Sequence, residues 1–255
     1  MHAEIFSILG LPEIRPGDDL GVLMLDALEA DGKRLHDGDI LAVAQKIVSK
    51  SEGCFRSLAD IVPSEEALRL AERCGKDARK VQAILDESTD ILRVVPAPPD
   101  GIIIARHKQG WVCANAAIDE SNLGSLHGQL LLLPEDSDAS ARHIARTVEL
   151  RTGRRVGVII TDTFGRPWRK GLVNVAIGTS GVPPSIDWVG RKDAYGRHLA
   201  VTQQAFADEI AAASGLLMVK DAATPVVVFR GLDWSPNPEA SCREYVRPLQ
   251  QDLFK

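Results

Sequence analysis

The sequence predicts a mixed α/β fold. Three observations carry that reading. Apolar residues make up 45% and charged residues 25% of 255, the balance of a chain with a real hydrophobic core. Stretches of helical period alternate with short, β-branched apolar runs. In the middle of the chain several such runs follow one another without a helix, which gives a mixed rather than purely parallel sheet.

The elements follow in order. Ala3–Ile8 alternates weakly and reads as a strand, ended by the turn residues Gly10-Leu11-Pro12. Asp18 and Asp19 precede Leu20, Val22, Leu23, Leu25 and Leu28, an acidic cap before an apolar face, so a helix is expected over about 19–31. After the His36–Asp39 turn, Ile40–Val43 and the pair Ile47-Val48 read as buried strand. Ser64 opens a helical pattern that continues to 86. Ile91–Val95, Gly101–Ala105 and Trp111–Ala114 read as a meander, with a turn at Gln109-Gly110. Leu130–Leu133 is a short strand. The polar break at 134–140 is the expected lobe boundary within one unit of 1–255. A helix over Ser140–Arg151 and a buried strand over Val156–Ile160 come next. Residues 161–181 read as a Gly-rich loop with an apolar insertion, Phe206–Leu216 as a helix, and Pro225–Phe229 as a last core strand.

Charge and cysteines narrow the function. The net charge of −5 lacks the global basic footprint of a nucleic-acid binder. Arginines nevertheless gather at 142, 146, 151, 154, 155, 166 and 169, as a solvated face or as a pocket for an anion. Cys54, Cys74, Cys113 and Cys242 are too scattered for a zinc site or disulfide framework. Met1–Pro12 has neither a basic start nor a long apolar stretch, so no signal peptide is expected. The apolar run Leu130–Leu133 is far short of a membrane span, and a soluble, cytoplasmic protein is expected.

Four segments are candidates for chemistry. Thr161-Asp162-Thr163 follows a buried strand, and strand carboxyl ends are where open α/β sheets bind ligands. An aspartate and a threonine hydroxyl there can hold Mg2+ or Mn2+, while Arg166 and Arg169 can clamp a phosphate or carboxylate. Asp119 and Asn122 lie one turn apart, although by themselves they describe an Asx-rich turn. Leu11, Pro12, Glu13 and Ile14 show nothing beyond a turn. Gln45, Lys46 and Lys50 flank the β-branched pair, with lysines that can neutralise phosphates or simply sit in solvent. Neither a GxxxxGK[ST] loop nor GxGxxG occurs, so any nucleotide is held by another architecture.

Taken together, these segments carry a resemblance. Gly10 to Leu20, Asp37-Gly38-Asp39, Lys46 to Gly53, Ala114-Asn115, Asp119-Glu120-Ser121-Asn122, Leu132-Leu133-Pro134, Asp138 to Ala141, Thr161 to Arg166, Asp208 to Ala211, Thr224-Pro225-Val226 and Arg230-Gly231 occur in one order. The chain resembles the F420-0:L-glutamate ligase (gamma-glutamyl ligase) family, in its standalone form, from about Ile8 to Phe254. The resemblance implies a two-lobed fold with mixed sheets in an intertwined homodimer. It implies a GTP-dependent ligase that adds L-glutamate to the carboxylate of F420-0 through an acyl phosphate, with Mg2+ or Mn2+, and K+ as a further cation. By motif position, Asp119 and Asp162 would hold the first metal and Thr163 would lie on a second, with Arg166 beside the chemistry. Leu11, Pro12, Glu13, Ile14, Gln45, Lys46, Lys50 and Asn122 would line the nucleotide site, closed by the stretch around Met218 to Pro225, with Met218, Val219 and Lys220 at the nucleotide. No nucleic-acid or membrane partner is implied.

The sequence departs from the family at two places. Lys170-Gly171-Leu172-Val173-Asn174 stands where members often carry Asn-Gly-Gln-Thr-Asp. Met218-Val219-Lys220 stands where many carry a glycine and an acid or amide, and a protonated lysine cannot ligate a metal. These changes leave a folate or other pterin-like acid as an alternative acceptor. A non-catalytic nucleotide- or deazaflavin-binding paralogue is the alternative of another class.

Overall fold

A computed structural model describes residues 2–122, 128–219 and 221–252, and it is mixed α/β. Strand β1 (Glu4–Ser7) leads to α1 (Leu20–Ala30), whose start is set by Asp19 accepting from the Val22 N–H at 3.1 Å. Strand β2 (Ile40–Ala44) runs straight into α2 (Gln45–Ser51). Ile47 and Val48 are therefore helical, not strand as expected. Both are buried against the core, and that burial outweighs the small helix penalty of β-branched side chains.

Strand β3 (Phe55–Ser57) precedes α3 (Glu65–Cys74) and α4 (Ala78–Asp86). The single helix expected over 64–86 is thus two. Gly75 breaks it by adopting φ +73°, its N–H donating to Ala71 O at 2.8 Å. The meander follows as expected: β4 (Ser88–Val95), β5 (Ile102–His107) and β6 (Val112–Ala114) pair antiparallel in that order. Helices α3 and α4 bury Leu70, Val81 and Ile84 with Ile103 and Ala105 of the meander in a small second core.

Strand β7 (Gln129–Leu131) is shorter than expected and pairs with β3. Helix α5 (Ser137–Thr152) begins three residues early, capped by Asp136, which accepts from the Ala139 N–H at 2.9 Å. Inside the expected polar break, Asp138 is buried. It accepts from Thr179 N–H, Cys242 N–H and the Ser241 hydroxyl, so its burial is satisfied.

The stretch 161–181 is not a loop. It is most of a long hairpin, β8 (Gly157–Arg166) and β9 (Arg169–Ser180). Two short strands, β10 (Ile186–Asp187) and β11 (Gln203–Gln204), pair before α6 (Phe206–Ser214) and β12 (Val226–Arg230). The main sheet runs β1, β12, β2, β8, β9. Only β2 and β8 are parallel. Ile40–Val43, Val158–Ile160 and Val226–Val228 are fully buried, as expected for strands covered on both faces. Helix α5 packs so closely on β9 that a Cβ at Gly178 would stand 2.4 Å from the Ser137 carbonyl oxygen. At one end of the sheet, buried Asp39 accepts from Arg230 at 3.0 and 2.7 Å and from the His36 N–H at 2.8 Å. At the other end, the same strands open into a cleft.

Candidate active site

The parallel pairing of β2 and β8 sets Ala44 beside Thr161. At this point β2 becomes α2, and β8 continues past its buried stretch with Asp162 and Thr163. The register between β8 and β9 slips between Ile160 and Thr161, a bulge of the kind that re-aims side chains next to functional sites. The result is a cleft of about 1110 Å³ at the carboxyl ends of the two parallel strands.

Most of the expected site residues meet there. Leu11 to Ile14 form one wall, and Gln45, Lys46 and Lys50 project from α2 on another. Asp119, Asn122, Asp162 and Thr163 supply oxygens, and Met218 and Val219 close the far side. Two expected residues are not in this set. Lys220 lies outside the described residues. Arg166 does not line the cleft; it sits near the hairpin tip, where its Nη2 donates to Lys170 O at 3.2 Å. Thr161 of the Thr-Asp-Thr segment and Asp221 of the expected closing stretch line the cleft too, as does Asn174, which was not among the expected site residues. The family departure at 170–174 points toward the acceptor end, and the hairpin register, which pairs Thr163 with Asn174, places Asn174 beside the expected metal ligand.

The electrostatics are specific. The Lys46 ammonium lies 3.0 Å from Asp119 Oδ1 and donates to the Ser121 hydroxyl at 2.6 Å. Burial, reinforced by the Asp119 charge, raises Asp162 to about 7. The Thr163 N–H donating to Asp162 Oδ1 at 2.7 Å and the nearby Lys46 oppose that rise. Gln45 is buried. Its amide nitrogen donates to the Ser49 hydroxyl at 2.6 Å and to Leu132 O at 3.3 Å, and its Oε1 has no partner among the described residues.

The donor set fits Mg2+ or Mn2+ better than a soft metal. Two carboxylates and a hydroxyl are hard oxygen donors. Among the described residues no group of three or more His, Cys, Asp and Glu converges as a metal cage. Cations of this class usually keep positions for water and for phosphate oxygens, so two carboxylates suffice. Charge balance points the same way. Glu13, Asp119, Asp162 and Asp221 face only Lys46 and Lys50 among the described lining residues. Cations entering with a polyphosphate would offset that excess of acids.

Fold and site define a mixed α/β protein with a small-molecule cleft at strand carboxyl ends, walled by acids and lysines. The chain belongs to the family described as F420-0:Gamma-glutamyl ligase, which matches residues 9–231. The coenzyme F420:L-glutamate ligase of Methanothermobacter thermautotrophicus is 44% identical over 257 residues, covering 100% of both chains. The protein of the same name from Archaeoglobus fulgidus is 45% identical, covering 100% of this chain and 97% of its own. That from Methanopyrus kandleri is 46% identical over 95% and 94% of the two chains. Among the described residues no helix is long and apolar enough to cross a membrane.

Proposed function

We propose that this protein is a GTP-dependent ligase that joins the amine of L-glutamate to the carboxylate of F420-0, and that it works as a homodimer. The observation that carries the reading is the convergence of Asp119, Asp162 and Thr163 with Lys46 and Lys50 in one cleft. The names of the full-length relatives supply glutamate and F420 as substrates.

A carboxylate and an amine do not condense unaided near neutral pH. In the proposed route a substrate carboxylate oxygen attacks the γ-phosphorus of GTP, and GDP leaves. The glutamate nitrogen then attacks the acyl carbon, loses a proton, and phosphate departs. Mg2+ or Mn2+, held by Asp119 and Asp162 with Thr163 toward a second ion, would supply charge neutralisation on the phosphates. The lysines of α2 would add positive charge at the phosphate end. The unpaired Gln45 Oε1 suits a base N–H, because a buried acceptor without a donor costs stability until one arrives.

One observation favours a second acceptor. Leu172 and Val173 line the cleft, so the family departures at 170–174 alter its wall directly. A wall altered there could admit a different acceptor, such as a pterin-like acid. Incubation with GTP, Mn2+, glutamate and either F420-0 or folate acceptors, followed by mass spectrometry, separates the two. Glutamyl addition to F420-0 is expected; addition to folates alone would replace the acceptor, and addition to neither would remove the reading. Transfer of 18O from the acceptor carboxylate to phosphate is expected if the acyl phosphate forms.

A further inference from the structure

Asn174 makes more contacts with the site than a wall residue needs. Its Oδ1 accepts from the Thr163 hydroxyl at 3.0 Å across the hairpin. Its amide nitrogen donates to the Ser214 hydroxyl at 3.4 Å and lies 3.7 Å from the Met218 sulfur. The Ser214 hydroxyl gives its own hydrogen to Ala211 O at 2.6 Å. A thioether has no hydrogen to give. Both neighbours on that side are therefore acceptors, and the amide NH2 must face them. The carbonyl is left with one direction, toward Thr163. The end of α6 lies close to the amide: a Cβ on Gly215 would stand 3.4 Å from its nitrogen.

We propose that Asn174 is a positioning residue that fixes the Thr163 hydroxyl as an acceptor. With its hydrogen committed to Asn174, Thr163 can offer only lone pairs to whatever else it meets in the cleft. That state suits a cation, and it disfavours a ligand that needs a donor there. The proposal deepens the functional reading above and rests on it for the identity of the cation. An aspartate here would also accept from Thr163, but it would place another charge beside Asp119 and Asp162. The neutral amide orients the hydroxyl without adding to that crowding.

The test uses the full chain with 13C-methyl threonine, the Thr163 signal being assigned with Thr163→Val. Three-bond couplings of that methyl report the side-chain rotamer, and Mn2+ binding is read by electron paramagnetic resonance. Asn174→Leu removes the acceptor at similar volume; Asn174→Ala serves if the leucine does not fold; Asn174→Asp restores the acceptor. Expected are one rotamer for the wild type and Asn174→Asp, and averaged couplings for the leucine or alanine variant. Mn2+ affinity should fall about tenfold in that variant, as for other residues that orient a ligand, and return with aspartate. In turnover, kcat should fall with KM for glutamate unchanged. Wild-type couplings and Mn2+ affinity in the folded leucine or alanine variant would overturn the proposal. If the wild type itself ignores Mn2+, the metal reading falls, and the couplings alone still decide whether Asn174 orients Thr163.

Discussion

Asp162 holds its charge at a cost, and the sign of that cost is testable. Its folded value, raised to about 7 by burial and Asp119, lies above the ordinary 3.8. Between those values the folded chain keeps a proton that the unfolded chain has lost. The contribution of Asp162 to stability therefore declines as pH rises from about 4 to about 7, and is flat beyond. A cation competes with that proton, so Mn2+ affinity should be about tenfold weaker at pH 6 than at pH 8, measured by titration at both. Asp162→Asn should cut Mn2+ affinity by at least about tenfold. The same change should raise the melting temperature of the metal-free protein at pH 8, because it removes a repelled carboxylate. A lowered melting temperature there would show that the carboxylate is structural. Asp119 reads by itself as part of an Asx-rich turn, and only the resemblance puts it at the metal. Asp162 could be picked from the sequence because an acid just after a buried strand has few structural reasons to be there. Asn174 could not, because its meaning lies in a partner eleven residues back across a hairpin whose register the sequence does not display.

Helix and strand types were readable wherever burial enforces a period. They failed where one local signal was outvoted by packing. Ile47 and Val48 have strand-like side chains, but their place directly after β2 turns them into the first turn of α2. The 64–86 stretch keeps helical spacing across Gly75, so periodicity alone hides the break. The hairpin beyond Asp162 is exposed toward its tip, and without a buried face its strands lose the alternation that identifies a strand. The docking of α5 on β9 is a property of both elements and depends on the missing side chain at 178. Gly178→Ala should destabilise the protein by about 2–3 kcal/mol, because the clash is with backbone that cannot turn aside. Urea unfolding measures it; a change below about 0.5 kcal/mol would mean that α5 shifts freely.

At the scale of the whole molecule, ligand and fold are linked by mass action. GDP with Mn2+ at 100 times its dissociation constant should stabilise the chain by about 2.7 kcal/mol, a rise of several degrees in a thermal scan. No shift at millimolar ligand would count against the nucleotide. The order of strands has a further consequence, for the way the protein is made. Strand β12 lies between β1 and β2, so the last strand among the described residues slots between the first two. Until it emerges from the ribosome, β2 has a bare edge of unpaired backbone, and such edges template aggregation. The Ala44 N–H, at the lip of the cleft, also waits for its partner, the Pro225 carbonyl at 2.8 Å. A chain stopped before Val226 should therefore collect in the insoluble fraction rather than fold into a smaller enzyme. The cleft lacks this part of its lip until β12 is made, so a chain released before Val226 carries the acids and lysines of the site without the site itself.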